Sequence, residues 1–318
     1  MKNMKVALKV PLLISFASLV CCIWVGGLAI MTAQETVVKS VEDKLVTLLS
    51  SHKDALESYL GSIEEDLTIM AGNQQVAQAI KDFEEGWYAL GSDQTRTLQK
   101  LYIEDNPNPL GEKDKLDVAP DGSLYSEMHA KHHPWFHSMQ QKRGYYDIFL
   151  FDLQGNVLYT VFKELDFSTN VNDGQWRDTD LGNVFRAAAS ASEPGFISFY
   201  DFRPYAPSHD VPASFIATPV YDHGKKIGVL AFQMPVERIN DIMKVNEGLG
   251  ETGETYLVGK DYLMRSDSRL SNESTILKTK VDTEAVKRAL AGEKGIIQTT
   301  DYHGESTFSA YEPFKFEG

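Results

Sequence analysis

The feature that most constrains this chain is an uncharged stretch near its start, from Val10 to Ala33. Its 24 residues make a helix of about 36 Å, enough to cross a hydrocarbon layer of roughly 30 Å. Lys2, Lys5 and Lys9 lie on one side and Glu35 opens the other. That asymmetry orients residues 1–9 to the cytoplasm and the rest outside, so the expected location is a cell membrane with the folded part on its outer side. Pro11 falls in the first turn, where its missing N–H costs little. A cleaved signal peptide is the rival reading, but its apolar core runs only about 7–15 residues before a small-x-small site, and Gly27-Leu28-Ala29 is a weak match. Cys21 and Cys22 fall mid-span, and Val20 is a poor residue to precede an acylated cysteine, so they read as packing residues of a membrane helix.

Those are the only two cysteines. The exported part therefore has no disulfide and must rest on a hydrophobic core. Beyond the span lie 285 residues, enough for more than one domain. The net charge of −14 falls to about −17 without the three leading lysines, which argues against nucleic acid as a partner and favours cationic or neutral ligands, or simple solubility. The chain carries no glycine-rich phosphate loop, no G-x-S-x-G elbow and no H-E-x-x-H pair, so neither an enzymatic reaction nor a cofactor is indicated.

From Glu35 to about Phe83 a stripe recurs every three or four positions: Val38, Val41, Leu45, Leu48, His52, Leu56, Tyr59, Ile63, Leu67 and Met70. This predicts one long helix continuous with the span, pairing with a second copy near the membrane and packing on its own domain further out. Further helices follow, interrupted at Asn106-Pro107-Asn108-Pro109 and Ala119-Pro120-Asp121-Gly122. From Tyr145 the pattern becomes strands. Residues 145–152 and 157–162 form a hairpin around Gly155-Asn156. A helix at 181–191, strands at 195–202, 213–221 and 227–234, and a return helix at 236–244 complete the set. The order then begins again, with strands at 255–258 and 262–265, a helix at 283–291 and strands at 295–300 and 306–313. Val184-Phe185-Arg186-Ala187-Ala188 answers Val286-Lys287-Arg288-Ala289-Leu290, and Gly195-Phe196-Ile197 answers Gly295-Ile296-Ile297. A repeat of that kind means tandem modules of one fold. The expected class is α+β: a transmembrane helix (10–33), a long helix and helical region (34–134), a first module (135–245) and a second, incomplete one (246–318). A second span and an output domain are expected to follow.

Three stretches, Tyr145–Asn170, Pro212–Asp222 and Gly250–Arg269, resemble the double Cache, PAS-like input regions of bacterial methyl-accepting chemotaxis proteins. Similar regions also precede histidine kinases and nucleotide cyclases, and an anchored binding protein without output is a reading of another class. The resemblance implies a dimeric transmembrane receptor. Its membrane-distal module (135–245) would hold a small molecule, its proximal module would relay the signal, and cytoplasmic partners would act through the output domain. Amino-acid-binding members of the family carry an R-x-W-Y type of run after the second strand. This chain has Asn172-Asp173-Gly174-Gln175-Trp176-Arg177-Asp178 there, which puts an ordinary α-amino acid in doubt.

Two groups of residues carry candidate chemistry. His129, His132, His133 and His137 include metal-like spacings on a helix. Pro134, however, disfavours helical geometry at His133 and no cysteine joins them, so no metal site is assigned. The ligand site is placed on the first sheet and its loops, at Tyr159, Lys163, Trp176, Tyr200, Asp201, Phe202, Tyr205 and Ser214. Aromatics with a carboxylate would box an amine, and the same residues with Lys163 would take a carboxylate. The plainer reading makes Tyr200 and Phe202 core residues and Lys163–Asp166 an exposed ion pair.

Overall fold

The computed structural model describes residues 6–245 and 248–317. Lys2 and Lys5, and the side chain of Lys9, on which the orientation expectation rests, lie outside the described residues. The chain divides into two compact units, Met1–Ser51 with Thr283–Pro313, and His52–Asp282 with Phe314–Gly318.

Helix α1 runs Val6–Ala71 and is long and apolar enough to cross a membrane. Its leading portion exposes Phe16, Ile23 and Trp24. Further along, Leu56, Leu60, Ile63, Leu67 and Met70 turn one stripe into the core of the larger unit, as their spacing of three and four predicts. The helix stops well short of Phe83. Gly72 follows its last residue, and Asn73 caps a new helix, α2 (Gln74–Ala89), by accepting a hydrogen bond from the Gln75 N–H at 2.8 Å. The apolar period continues across this break, which is why the sequence reads as one helix: an Asn cap is a local event that periodicity does not see.

Helix α3 (Gln94–Gln99) and a wider turn at Lys100–Glu104 lead to α4 (Leu124–Arg143), capped by Ser123 and ended by Gly144 at φ 74°. Pro134 lies inside α4 without ending it, contrary to the expectation at His133. Tertiary packing of this helix, whose Tyr125, His129, His133 and Phe136 are all fully buried, outweighs the local cost. Helices α2 and α4 meet at Gly86, where a Cβ would come within 2.7 Å of the Tyr125 Cα.

The sheet of the larger unit is antiparallel in the order β2-β1-β5-β4-β3. Its strands are β1 (Asp147–Phe151), β2 (Val157–Thr160), β3 (Ser198–Tyr205), β4 (Val211–Asp222) and β5 (Lys225–Gln233). Strands β1 and β5 are central and nearly all their residues are buried. Alternation sorts their side chains into two layers. Ile148, Leu150, Tyr159, Ile216, Leu230 and Phe232 join the core built with α1, α2 and α4. Phe149, Phe151, Phe215, Val229 and Ala231 face the other way, against Leu181, Val184, Phe185 and Ala188 of α5 (Asp180–Ser190). Helix α6 (Val236–Met243) follows β5.

In the second copy the smaller unit holds α7 (Glu284–Leu290) and the hairpin of β6 (Gly295–Thr300) with β7 (Ser306–Tyr311). The strands expected at 255–258 and 262–265, in the larger unit, are reduced to a bridge between Val258 and Met264. The Arg265 guanidinium lies where a Cβ of Gly259 would sit, 2.2 Å from it, and binds Asp201 and Asp261 at 3.0 Å each. Backbone hydrogen bonds from Arg265 to the Leu257 carbonyl at 2.7 Å and from Gly259 to the Leu263 carbonyl at 2.9 Å flank that bridge.

Replacing Gly86 by Ala forces α2 and α4 apart. The expected cost is about 1–3 kcal/mol, read in urea unfolding as a lower midpoint at unchanged slope.

Candidate ligand-binding site

The two sheet layers carry two polar clusters of opposite character. On the helical side, His133 is stacked on His129 with ring centroids 4.4 Å apart. Its Nε2–H donates to the Asp114 carbonyl, and its Nδ1 accepts from the Tyr159 hydroxyl, each at 2.6 Å. Burial first, and then the Lys163 charge, hold His133 down to about 2, so it is a neutral imidazole. His129 donates through Nδ1 to the Asp117 carbonyl at 2.6 Å, leaving its buried Nε2 without a partner. His132 and His137 point elsewhere, to Asp82 at 2.7 Å and Asp114 at 2.9 Å. Among the described residues no three His, Cys, Asp or Glu groups are placed to hold a metal ion.

Lys163 closes this cluster. It is 1 % exposed and sits at φ 59°. Its ammonium donates to the Val161 carbonyl at 3.0 Å and lies 3.5 Å from His133 Nδ1. The rings of Tyr159 and Tyr102 flank it at 5.5 and 5.9 Å. Burial brings its pKa down to about 7, against the upward pull of Asp147, Asp114 and Asp117. Lys163 and Asp166 are both buried and do not pair with each other, so the exposed-ion-pair reading fails.

On the other side the polar groups are acidic. Asp147 is 1 % exposed; its Oδ1 accepts from the backbone N–H groups of Ile148, Val161 and Phe162 at 2.7, 2.8 and 3.0 Å. Asp166 accepts from the Tyr205 hydroxyl at 2.6 Å. Half-buried Glu164 accepts from Tyr146 at 2.9 Å and Ser208 at 2.5 Å. Gln233, the cross-strand neighbour of Asp147, donates to Ser208 at 3.5 Å. Burial raises the pKa of all three acids, Asp147 strongly and Asp166 to about 7, and the charges of Asp166 and Glu164 push Asp147 further.

The sequence-predicted residues do not converge on one point. Tyr159 and Lys163 lie on the helical side, where Tyr159 also stacks on Phe83 at 4.8 Å. Phe202 belongs to that core. Ser214, one residue from Phe215 on β4, faces the same way with its hydroxyl unpartnered. Tyr205 is on the acidic side, edge-on to Phe215 at 4.9 Å, and Tyr200 packs against that layer. Trp176 is half-buried and donates to the Leu165 carbonyl at 3.2 Å. Asp201 is exposed and engaged by Arg265. Asp147, Glu164, Asp166 and Gln233 escaped sequence reasoning. The available signal was an aspartate inside the otherwise apolar strand Asp147–Phe151.

The segment 163–170 touches both layers. Trp87 donates to the Ser168 hydroxyl at 3.1 Å and Thr95 to the Ser168 carbonyl at 2.5 Å. Gln99 donates to the carbonyls of Leu165 and Phe167 at 3.0 Å each.

With this architecture in view, the chain belongs to the Cache domain family, whose model matches residues 31–317. A probable chemoreceptor of Sinorhizobium fredii is 24% identical over 315 residues, covering 98% of this chain and 38% of the relative. The chain thus spans well under half of that relative's length. Among solved structures, the ligand-binding domain of the Pseudomonas aeruginosa amino acid chemoreceptor PctB in complex with L-Gln aligns at TM-score 0.45 and 14% identity, covering 86% of this chain and 84% of that one. The sensor domain of the Vibrio cholerae histidine kinase DctB aligns at TM-score 0.39 and 12% identity, covering 64% and 59%.

The buried lysine gives a signed pH dependence. Its folded pKa of about 7 lies below the ordinary 10.5. The penalty is full below about 7 and is relieved as pH rises towards 10.5, so stability climbs across that window by up to about 1.4 kcal/mol per pH unit. Urea unfolding of Lys163→Met between pH 7 and 10 is expected to show that component gone and higher stability at pH 7.

Proposed function

We propose that this chain is the extracytoplasmic sensing region of a transmembrane chemoreceptor, anchored by α1, that binds a small molecule in the module at 135–245. The observation that carries the reading is the polar layer enclosed inside the sheet of a Cache-family chain, where buried acceptors await a partner. A sheet buried on both faces leaves polar groups inside only where something satisfies them. The chemoreceptor similarity of the Sinorhizobium relative supports the class of output. The protein acts as a dimer through the exposed stripe of α1, at Val37, Val38 and Val41. Ligand binding shifts the balance between two arrangements by its differential affinity for them, and cytoplasmic signalling partners read the shift.

The test is a thermal-melt screen of the chain in lipid nanodiscs against amines, carboxylates and amino acids. A true ligand at a hundred times its Kd stabilises by about 2.7 kcal/mol. Joined to a chemoreceptor signalling domain, the chain is expected to give a swimming response to the same compound. A screen in which no compound moves the melting temperature overturns the sensing role.

A further inference from the structure

The unpartnered atoms of the acidic layer share one chemistry. Asp147 Oδ2, Asp166 Oδ1 and Gln233 Oε1 are all buried without a hydrogen-bond partner, and with the two carboxylates ionised all three are acceptors. Asp147 and Gln233 are directly paired across β1 and β5, and so share a face. The Gln233 amide reaches Ser208, which donates to Glu164. Tyr205, Tyr146 and Ser208 spend their hydroxyl protons on Asp166 and Glu164. The hydroxyl donors of the layer are thus used on its acids, while three acceptor positions stay open. An unmatched buried acceptor costs about 1–3 kcal/mol, more when charged, so the complement to this set is a donor-rich cation.

Two further observations narrow the cation. The described residues offer no three-ligand arrangement for a metal ion, so the complement is organic. Among the described residues none of the three acids is in an ion pair. The buried ammonium of Lys163 is turned to the Val161 carbonyl and His133 on the helical side. A ligand carboxylate would find no cationic partner beside Asp147 and Asp166. Aromatic rings do border the layer, at Tyr205, Phe215 and Phe149.

We propose that Asp147, Asp166 and Gln233, with Glu164 beside them, receive the primary ammonium or guanidinium head of a ligand that carries no carboxylate next to that head. The assignment rests on the sensing role above and names its ligand class. Asp147 presents Oδ2 while its Oδ1 is fixed by three backbone N–H groups, which also supports its ionised form once a cation arrives. The groups facing Asp166 are Tyr205 from β3, Asp147 from β1, and Glu164 on its own segment, itself influenced by His209. Burial, the largest effect, and the Glu164 charge oppose ionisation of Asp166, while the hydrogen bond from Tyr205 favours it, so the cation binds with loss of the Asp166 proton.

Isothermal titration of the nanodisc-embedded chain tests this with ethylamine, putrescine and agmatine against acetate, succinate and L-alanine. Binding by at least one of the amines, and weaker or no binding by the other three, is expected. Affinity should fall by up to about tenfold per pH unit below pH 7. Asp166→Asn and Gln233→Met, each checked for a cooperative melt without ligand, should weaken the amine by roughly ten- to a hundredfold. Gln233→Met removes an orphaned acceptor and keeps the test alive if Asp166→Asn fails to fold. Preferential binding of succinate, acetate or L-alanine, or amine binding indifferent to both substitutions, overturns the cation assignment and leaves the sensing role standing. Silence from all six compounds overturns the cation assignment alone; the broader screen decides the sensing role separately.

Discussion

The larger unit depends on a five-stranded antiparallel sheet whose interior strands are buried on both faces along most of their length. Such a sheet has no solvent side on which to discard polar side chains, so each one within it must be matched inside the protein or by something bound there. Helices α1, α2 and α4 cover one face and α5 the other. Strand alternation then decides which layer a residue joins, and a single step along β1, from Asp147 to Ile148, passes from one to the other. The separation of a histidine–lysine cluster from an acidic one follows from this parity.

The two clusters bias each other through the sheet. Each is costly to bury: the lysine lacks a carboxylate in contact, and the acids lack a cation. Asp147 pulls the Lys163 pKa upward from the opposite layer, though burial still dominates. The acids likewise crowd one another, and burial with mutual repulsion raises their pKa values. Neither cluster adds to stability as it stands. Both are departures from local consistency of the kind that concentrates at functional sites.

Much of the architecture is legible in the residues. The stripe from Leu56 to Met70, the strand alternation from Asp147 onward, the helices at α5, α6 and α7, and the hairpin of β6 and β7 all follow period and turn chemistry. Legibility fails where a single local contact decides. Asn73 splits one periodic run into two helices, and buried packing carries α4 through Pro134. The expected hairpin at 255–265 shortens to one bridge, with Arg265 packed over Gly259. In the sheet, sequence reasoning names residues on β2, β3 and β4 and in the segment after β2, weighting aromatic residues and an apparent ion pair. It has no means of assigning layers, because parity depends on register, and β3 against β4 carries an irregularity between Tyr200 and Arg203. It names Tyr205 as a ligand residue and not Asp166, although the two share a hydrogen bond.

The segment 163–170 has a mechanical consequence. Lys163 is anchored among the helices, Glu164 and Asp166 hang in the opposite layer, and Leu165, Phe167 and Ser168 are fastened to α2 and α3 by Trp87, Thr95 and Gln99. The left-handed turn at Lys163 fixes its pitch. A single short piece of chain therefore sets both where its carboxylates stand and where α2 and α3 are tied, so the two layers share one backbone path.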